Sequence, residues 1–402
     1  MAATTEPGEL QATQDITLHA PSARNALSVF LLSGLLMSFT GAILPAWGYH
    51  LKEDYAEVGR YFLALAAGLT ASVPLGAALH CRKDVRTVVT VGSALACFAF
   101  VWLALASPPA HWAWRVAGVV LLGLAAGLLN SSAFQSISGC YELDRPSTVN
   151  IAGMLFGLGC LLMSLLVYSV FYVYTVSSTL LLVAAIPGFA AGLYARAAFA
   201  KPVTHHTKTW REVWDEVKSP GAVLFSLVLF FQLGNEWSIA GWLPIFLVQR
   251  IGVSPPASLL ILTFFWLALL VGRVASQALL PHLKHGRILL ASIFSALFGL
   301  LILLSTNNRF GAWVGVLFLG LGFAAVYPLL VERIAHRFPD YHPGFFNGLL
   351  SFGITGGLLA PWALGFIANW MGIRAVMLVP MLGSLMVFLL ILLLWLEAKL
   401  TA

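Results

Sequence analysis

Charge is what this sequence has least of. Of its 402 residues only 9% are Asp, Glu, Lys or Arg, while 60% are hydrophobic, against about 25% charged in an ordinary soluble domain. A chain of this length folded in water needs far more polar surface, which excludes a soluble multidomain protein. Cysteine is scarce too. Cys81, Cys97, Cys140 and Cys160 have no CxxC spacing and sit in or beside apolar stretches or the loops between them, which argues against a disulfide framework or a thiolate zinc site. None of the ten histidines forms HExxH or meets a second histidine at ligand spacing inside an apolar stretch, so no intramembrane metalloenzyme is expected. No glycine-rich phosphate loop is present, which excludes ATP as the direct energy source. No cofactor and no metal are expected. The net charge of +6 comes without a basic-aromatic patch, so nucleic acid is not an expected partner. The first 25 residues carry Glu6, Glu9 and Asp15 ahead of Arg24 and show neither the basic start nor the cleavage site of a signal peptide.

What the sequence has in abundance is apolar residues in blocks of about 20, enough to cross ~30 Å of hydrocarbon at ~1.5 Å per residue. Helical spans are expected at 26–49, 58–79, 85–106, 112–135, 148–175, 177–198, 221–248, 257–279, 287–305, 311–332, 343–368 and 373–396. The expected fold is therefore an all-α integral membrane protein of twelve transmembrane helices, in two pseudo-symmetric six-helix bundles. With both ends in the cytoplasm, sixteen Lys and Arg face inward and six (Lys52, Arg60, Arg115, Arg250, Arg309, Arg374) face outward, the orientation that the positive-inside rule selects. A multi-pass protein of the cytoplasmic (inner) membrane follows, with lipids as its neighbours.

The domain organisation reads as a cytoplasmic tail over 1–25, a first bundle over 26–198, a linker over 199–220, a second bundle over 221–396 and a short tail over 397–402. The linker contains Thr209-Trp-Arg-Glu212, a capping-box pattern, followed by Val213, Trp214 and Val217, which with Trp210 make one apolar face. That pattern predicts a short amphipathic helix on the inner membrane surface.

The two halves repeat each other. Asn150, Phe156-Gly157 and Gly159 in span 5 match Asn347, Phe352-Gly353 and Gly356 in span 11; Gly41 and Pro45 match Gly241 and Pro244; Gly76 to Arg86 matches Gly272 to Arg287. The offsets all fall between 196 and 201. Spans 1 and 7 start on the same side, so this is a parallel repeat about an axis along the membrane normal.

With these features the chain resembles the major facilitator superfamily over nearly its whole length. Gly76-Ala-Ala-Leu-His80-Cys-Arg82-Lys83-Asp84-Val-Arg86 is similar to that family's loop between helices 2 and 3, with His80 where the family has an acid; Gly272-Arg273 fits the second-half counterpart. Gly234 to Leu247, Asn150 to Gly159 and Gly320 to Pro328 resemble the fucose–galactose–glucose–proton symporter group. The resemblance implies sugar transport by alternating access, driven by a proton gradient. Fucose–proton symporters of that group use acids in helices 1 and 4, whereas span 1 here has no acid and the matching place in span 4 is Asn130.

Fifteen of the sixteen acidic residues fall in tails, loops or span ends. Glu236 is the exception, ~22 Å along span 7 from its inner end. A bare charge there costs at least several kcal/mol, so it must be protonated or paired, and it is a functional candidate by position alone. Arg273 is the nearest basic residue in apolar sequence, but its depth, ~24 Å from the outer end of span 8, leaves a direct pair strained. Gln232, Asn235 and Glu236 on span 7, with Asn130, Asn347, Trp237 and Trp266, are the candidate solute-binding residues: amides and carboxylates match hydroxyls that both donate and accept, and an indole stacks on a sugar's apolar face. The competing reading makes the amides interhelical glue. Glu236 is the candidate for proton coupling. Arg82, Lys83, Arg86, Arg273 and Arg287 are the candidate gating residues. Trp102, Trp112, Trp114, Trp313, Trp370 and Trp395 fall near span ends, as an interfacial belt does.

The expected function is secondary active transport of a small polar solute, a monosaccharide above all, by a monomer, with protons as the coupled ion. The alternatives are an exporter of amphipathic drugs or lipids, which an apolar cavity would favour, and a sensor or scaffold without transport, which a sealed core would favour.

Overall fold

The structure, a computed structural model, describes residues 21–51, 54–138, 145–200, 219–338 and 343–400. Among the described residues there are helices and no strands, and twelve helices are long and apolar enough to cross a membrane. They are α1 Pro21–Ile43, α2 Tyr55–His80, α3 Val85–Leu105, α4 Trp112–Ser136, α5 Arg145–Val170, α6 Val176–Tyr194, α7 Pro220–Phe246, α8 Pro255–Leu279, α9 His285–Ser305, α10 Arg309–Arg337, α11 Pro343–Met371 and α12 Ala375–Leu400. The expected amphipathic linker helix lies outside the described residues.

Prolines mark three of the departures from the expected spans. Pro45 has no N–H to offer the Gly41 carbonyl, and α1 ends at Ile43 rather than near 49, followed by a turn with Gly48 at φ 81°. Pro244 lies inside α7, which runs on through a π-turn at Leu247–Ile251 to Gly252 at φ 74°. Helix α7 is thus longer than expected at its far end. α10 breaks at Ala325, where Pro328 cannot donate to the Ala324 carbonyl.

Packing groups the helices into two compact units. One comprises the described parts of Met1–Met37, Ala67–Gly159 and Ser177–His205; the other, those of Ser38–Ala66, Cys160–Val176 and His206–Ala402. The end at which α1 begins and α12 ends is called the terminal end below, and the other the far end. The second unit therefore contains α7 to α12 together with the far parts of α1, α2 and α5.

Equivalent contacts recur in the two halves. In the first unit a side chain on Gly34 of α1 would overlap the Phe156 carbonyl of α5; in the second, one on Gly356 of α11 would overlap the Phe230 carbonyl of α7. In the hairpin α3–α4, Gly118 lies against Leu103, and in α9–α10, Gly315 lies against Leu303. Each pair repeats with the offset seen in the sequence, so the repeat reaches the packing and not only the motifs. Outward-facing side chains are apolar, among them Phe98, Phe189, Phe294, Leu301 and Leu389, as lipid requires. Trp114, Trp370 and Trp395 are exposed near helix ends, and the Lys399 ammonium lies 3.9 Å from the centre of the Trp395 ring, a cation–π contact suited to a membrane interface.

Candidate functional site

Helix α7 is buried on nearly every face at mid-length, with Gln232, Gly234, Asn235, Glu236, Ser238, Ile239, Ala240 and Gly241 all inside. A helix buried all round must place its polar groups against other helices, and α7 sends them in two directions. Asn235 turns toward α12, where its Nδ2 donates to Ser384 Oγ at 3.3 Å and its Oδ1 crowds Gly383. That is a helix-to-helix tie. Glu236 turns toward α8, with Oε1 4.0 Å from Arg273 Nη2. Glu236 is 6% exposed and Arg273 7%.

A direct Glu236–Arg273 pair corrects the expectation from depth. Counted from the far ends as they stand, Glu236 lies ~22 Å along the span that closes at Ile251, and Arg273 ~27 Å along α8. The remaining offset of ~5 Å is within the reach of an extended arginine side chain. The expected span ends leave almost the same offset, ~6 Å, so what the count left out is the reach of the arginine side chain.

Around this pair several polar atoms find no hydrogen-bond partner: Glu236 Oε2, Arg273 Nε, Gln232 Nε2 and Trp266 Nε1. Gln232 precedes Glu236 by one helical turn, and Trp266 precedes Arg273 by two, so each shares a face with a member of the pair. Trp237, half-buried, packs edge-on to Trp266 with centroids 6.2 Å apart and lies over Gly357 of α11. Buried polar atoms without partners are costly and uncommon, so the two on the pair itself, with those of Gln232 one turn and Trp266 two turns along the same faces, make this stretch of α7 and α8 the candidate site.

Helices α1 and α5 complete this face with residues that sequence reasoning did not single out. Ser38 of α1 hydrogen-bonds the thiol of Cys160 on α5, and both Glu236 and Arg273 act electrostatically on that thiol. One turn on, Ser164 Oγ accepts from Thr263 Oγ1 of α8 at 3.1 Å. Small polar residues at mid-span were the available signal, but their local bonds to their own helix make them unremarkable in sequence.

The other candidates belong to the first unit or to the terminal end of the second. Asn130 sits half-buried on α4 in the first unit. Asn347 belongs to the second turn of α11, ~6 Å from that helix's terminal end, and its side chain is outside the described ones. Arg82, Lys83 and Arg86 are exposed around the α2–α3 turn, and Arg287 is exposed in the first turn of α9. His80 bonds Ser132 of α4 at 3.2 Å. At the terminal end of the second unit, His285 Nε2 hydrogen-bonds Glu332 at 2.9 Å and Arg337 forms an ion pair with Glu397 at 3.2 Å, contacts that motif reading passed over.

At the far end, α1 and α2 meet α7 and α11. A Cβ on Gly41 would stand 2.9 Å from Gly241 Cα, and one on Gly365 would stand 2.8 Å from Gly59 Cα. Tyr55 ties the crossing twice: its hydroxyl donates to Gln249 Oε1 and its backbone N–H to Asn369 Oδ1, both at 2.9 Å. Phe62 covers Trp242, centroids 5.9 Å apart. Glu57, counted among span-end acids, is buried here, accepting from the Tyr49 hydroxyl, which also bonds Tyr61 at 2.7 Å.

The profile of the family described as Major Facilitator Superfamily matches residues 26–357. A glucose/mannose transporter of Bacillus subtilis is 26% identical over 295 residues, covering 68% of this chain and 71% of that one. Among solved structures, a nucleoside transporter superposes with TM-score 0.69 at 14% identity, over 91% of this chain and 99% of its own. The fucose:proton symporter of E. coli superposes with TM-score 0.58 at 15% identity, over 91% and 97%.

Proposed function

This chain belongs to the Major Facilitator Superfamily and is a secondary transporter of small solutes, and on that premise we propose that it carries a monosaccharide across the cytoplasmic membrane together with a proton. The observation that carries this reading is the buried Glu236–Arg273 pair, with unpartnered polar atoms on both members and on Gln232 and Trp266 beside it. A solute rich in hydroxyls supplies donors and acceptors to all four positions. Trp266 and Trp237 offer ring faces of the kind that stack on sugars. The naming of a relative as a glucose/mannose transporter supports the same solute class, and the naming of a structural neighbour as a fucose:proton symporter supports proton coupling. A buried charge pair with unpartnered polar atoms counts against a drug or lipid exporter.

In this reading the bodies that move are the halves 26–198 and 221–396, and the protein works as a monomer with its terminal end in the cytoplasm. The α1–α7 and α2–α11 crossings at the far end are then the outer gate in its closed state. They separate when the solute site faces outward. Glu236, as the acid in mid-membrane, takes up and releases the coupled proton. Counterflow in proteoliposomes against a panel of sugars, nucleosides and amphipathic cations, with and without a pH gradient, tests this. Sugar counterflow accelerated by an inward proton gradient is the expected result; exclusive movement of amphipathic cations would overturn it.

A further inference from the structure

Charge balance at the Glu236–Arg273 pair restricts the solute further than its hydroxyls do. With Glu236 ionised the pair is neutral. With Glu236 protonated, Arg273, 7% exposed, is left as a bare cation inside the helix packing, where an unpaired buried charge is disfavoured. Among the described residues, Glu236 is the one ion-pair partner of Arg273. α11 has no Asp, Glu, Lys, Arg or His; the charges of α12, Glu397 and Lys399, lie in its last turns; those of α10 (Arg309, Glu332, Arg333, His336, Arg337) lie toward its two ends, and the acid among them, Glu332, is held by His285. α1 has only Arg24 at its start, and α5 turns the thiol of Cys160 and the hydroxyl of Ser164 toward α7 and α8. A proton entering alone therefore leaves net charge +1 in the site, and an anion entering alone makes it −1. The two together leave it neutral.

The unpartnered atoms lean the same way. Three are donors (Arg273 Nε, Gln232 Nε2, Trp266 Nε1) and one is an acceptor, Glu236 Oε2. A surplus of donors about a guanidinium suits a carboxylate, which accepts in a planar fork. Protonated Glu236 adds a further donor and frees the guanidinium to turn to the solute.

We propose that the solute is an acidic monosaccharide, a hexuronate or an aldonate, whose carboxylate replaces Glu236 as the partner of Arg273 while Glu236 holds the accompanying proton. On release the proton leaves Glu236 for water, the solute carboxylate leaves Arg273, and the Glu236–Arg273 pair re-forms. One anion and one proton cross per cycle, with no net charge moved. This inference rests on the reading of Glu236 as the proton-coupling group and names the solute class for that site.

The test uses the full-length protein in proteoliposomes, with radiolabelled glucuronate, galacturonate and gluconate against glucose and galactose as probes. At least one acid is expected to show counterflow and to outcompete the neutral hexoses by about thirtyfold or more, the range for losing one partner of a buried charge pair. A pH-sensitive dye should record one proton per anion, and a membrane potential should leave the uptake rate unchanged. Arg273→Gln should abolish acid counterflow and Arg273→Lys retain part of it, with intrinsic tryptophan fluorescence and gel filtration establishing that each variant is folded. Counterflow of glucose or galactose undisturbed by excess of any acid would overturn the solute class while leaving sugar transport intact. Movement of none of the five probes would overturn both readings. Uptake of an acid that Arg273→Gln leaves intact would remove Arg273 from the site.

Discussion

Gly41 of α1 and Gly241 of α7 hold matching places in the two halves and lie against each other at the far end of the helices. The contact has a local cause. Pro244 has no N–H to bond the carbonyl of Ala240, and that carbonyl is the group a side chain on Gly41 would strike first. Two backbones meet because one proline has left a carbonyl uncommitted and one glycine has no side chain to keep it away. Such close approaches between small residues are how helices associate in lipid, where no hydrophobic force draws them together.

Gly41→Leu should therefore oppose far-end packing. Overpacking of a tight contact costs about 1–3 kcal/mol, which shifts a two-state gate by roughly 5- to 150-fold. Transport should fall by at least that lower factor. A cysteine placed at Val58, buried near the far end of α2, should react faster with an impermeant maleimide added at the far side when Gly41→Leu is present, and unchanged labelling would show that this crossing is not a gate.

Tyr55→Phe removes the hydroxyl that bonds Gln249 and leaves the ring in place. One hydrogen bond is worth about 1 kcal/mol net, so the gate should open roughly fivefold more often. Asn369→Ala, which removes the acceptor for the Tyr55 N–H, should act in the same direction. Solute affinity measured from the far side is expected to rise in both, because less free energy is needed to open the gate.

Asn235→Ala should behave as a structural change and not a change of site. Its partner is Ser384 on α12, and the loss should lower thermal stability by about 0.6–1.7 kcal/mol, the span measured for hydrogen bonds between membrane helices. Relative rates for different solutes should stay as they are; an altered solute preference would place Asn235 at the binding site after all.

Glu236→Gln keeps the size of the side chain and holds it neutral. Gradient-driven uptake should collapse by tenfold or more, on the order seen for removing a proton-transfer group, while exchange of solute between two sides at equal pH should survive. Full gradient-driven uptake by this variant would exclude Glu236 from coupling.

Apolar blocks were enough to read the class of this protein from its sequence, because a bilayer leaves so few alternatives. A block of about twenty apolar residues in lipid must be a helix, since no water is there to bond its backbone. The repeat was legible for a related reason: each half meets the same packing problem, so glycines and prolines recur at matching places. Glu236 stood out because charge is expensive at that depth. What only the tertiary structure decided is which faces meet. Sequence counting gave depth along each helix but not rotation about its axis, so it could not separate Asn235, turned to α12, from Glu236, turned to α8. It misjudged the reach to Arg273, because a count of depth along the backbone leaves out the length of the arginine side chain. It also passed over Ser38, Cys160, Ser164 and Thr263, ordinary small residues that acquire meaning only when four helices bring them to one place.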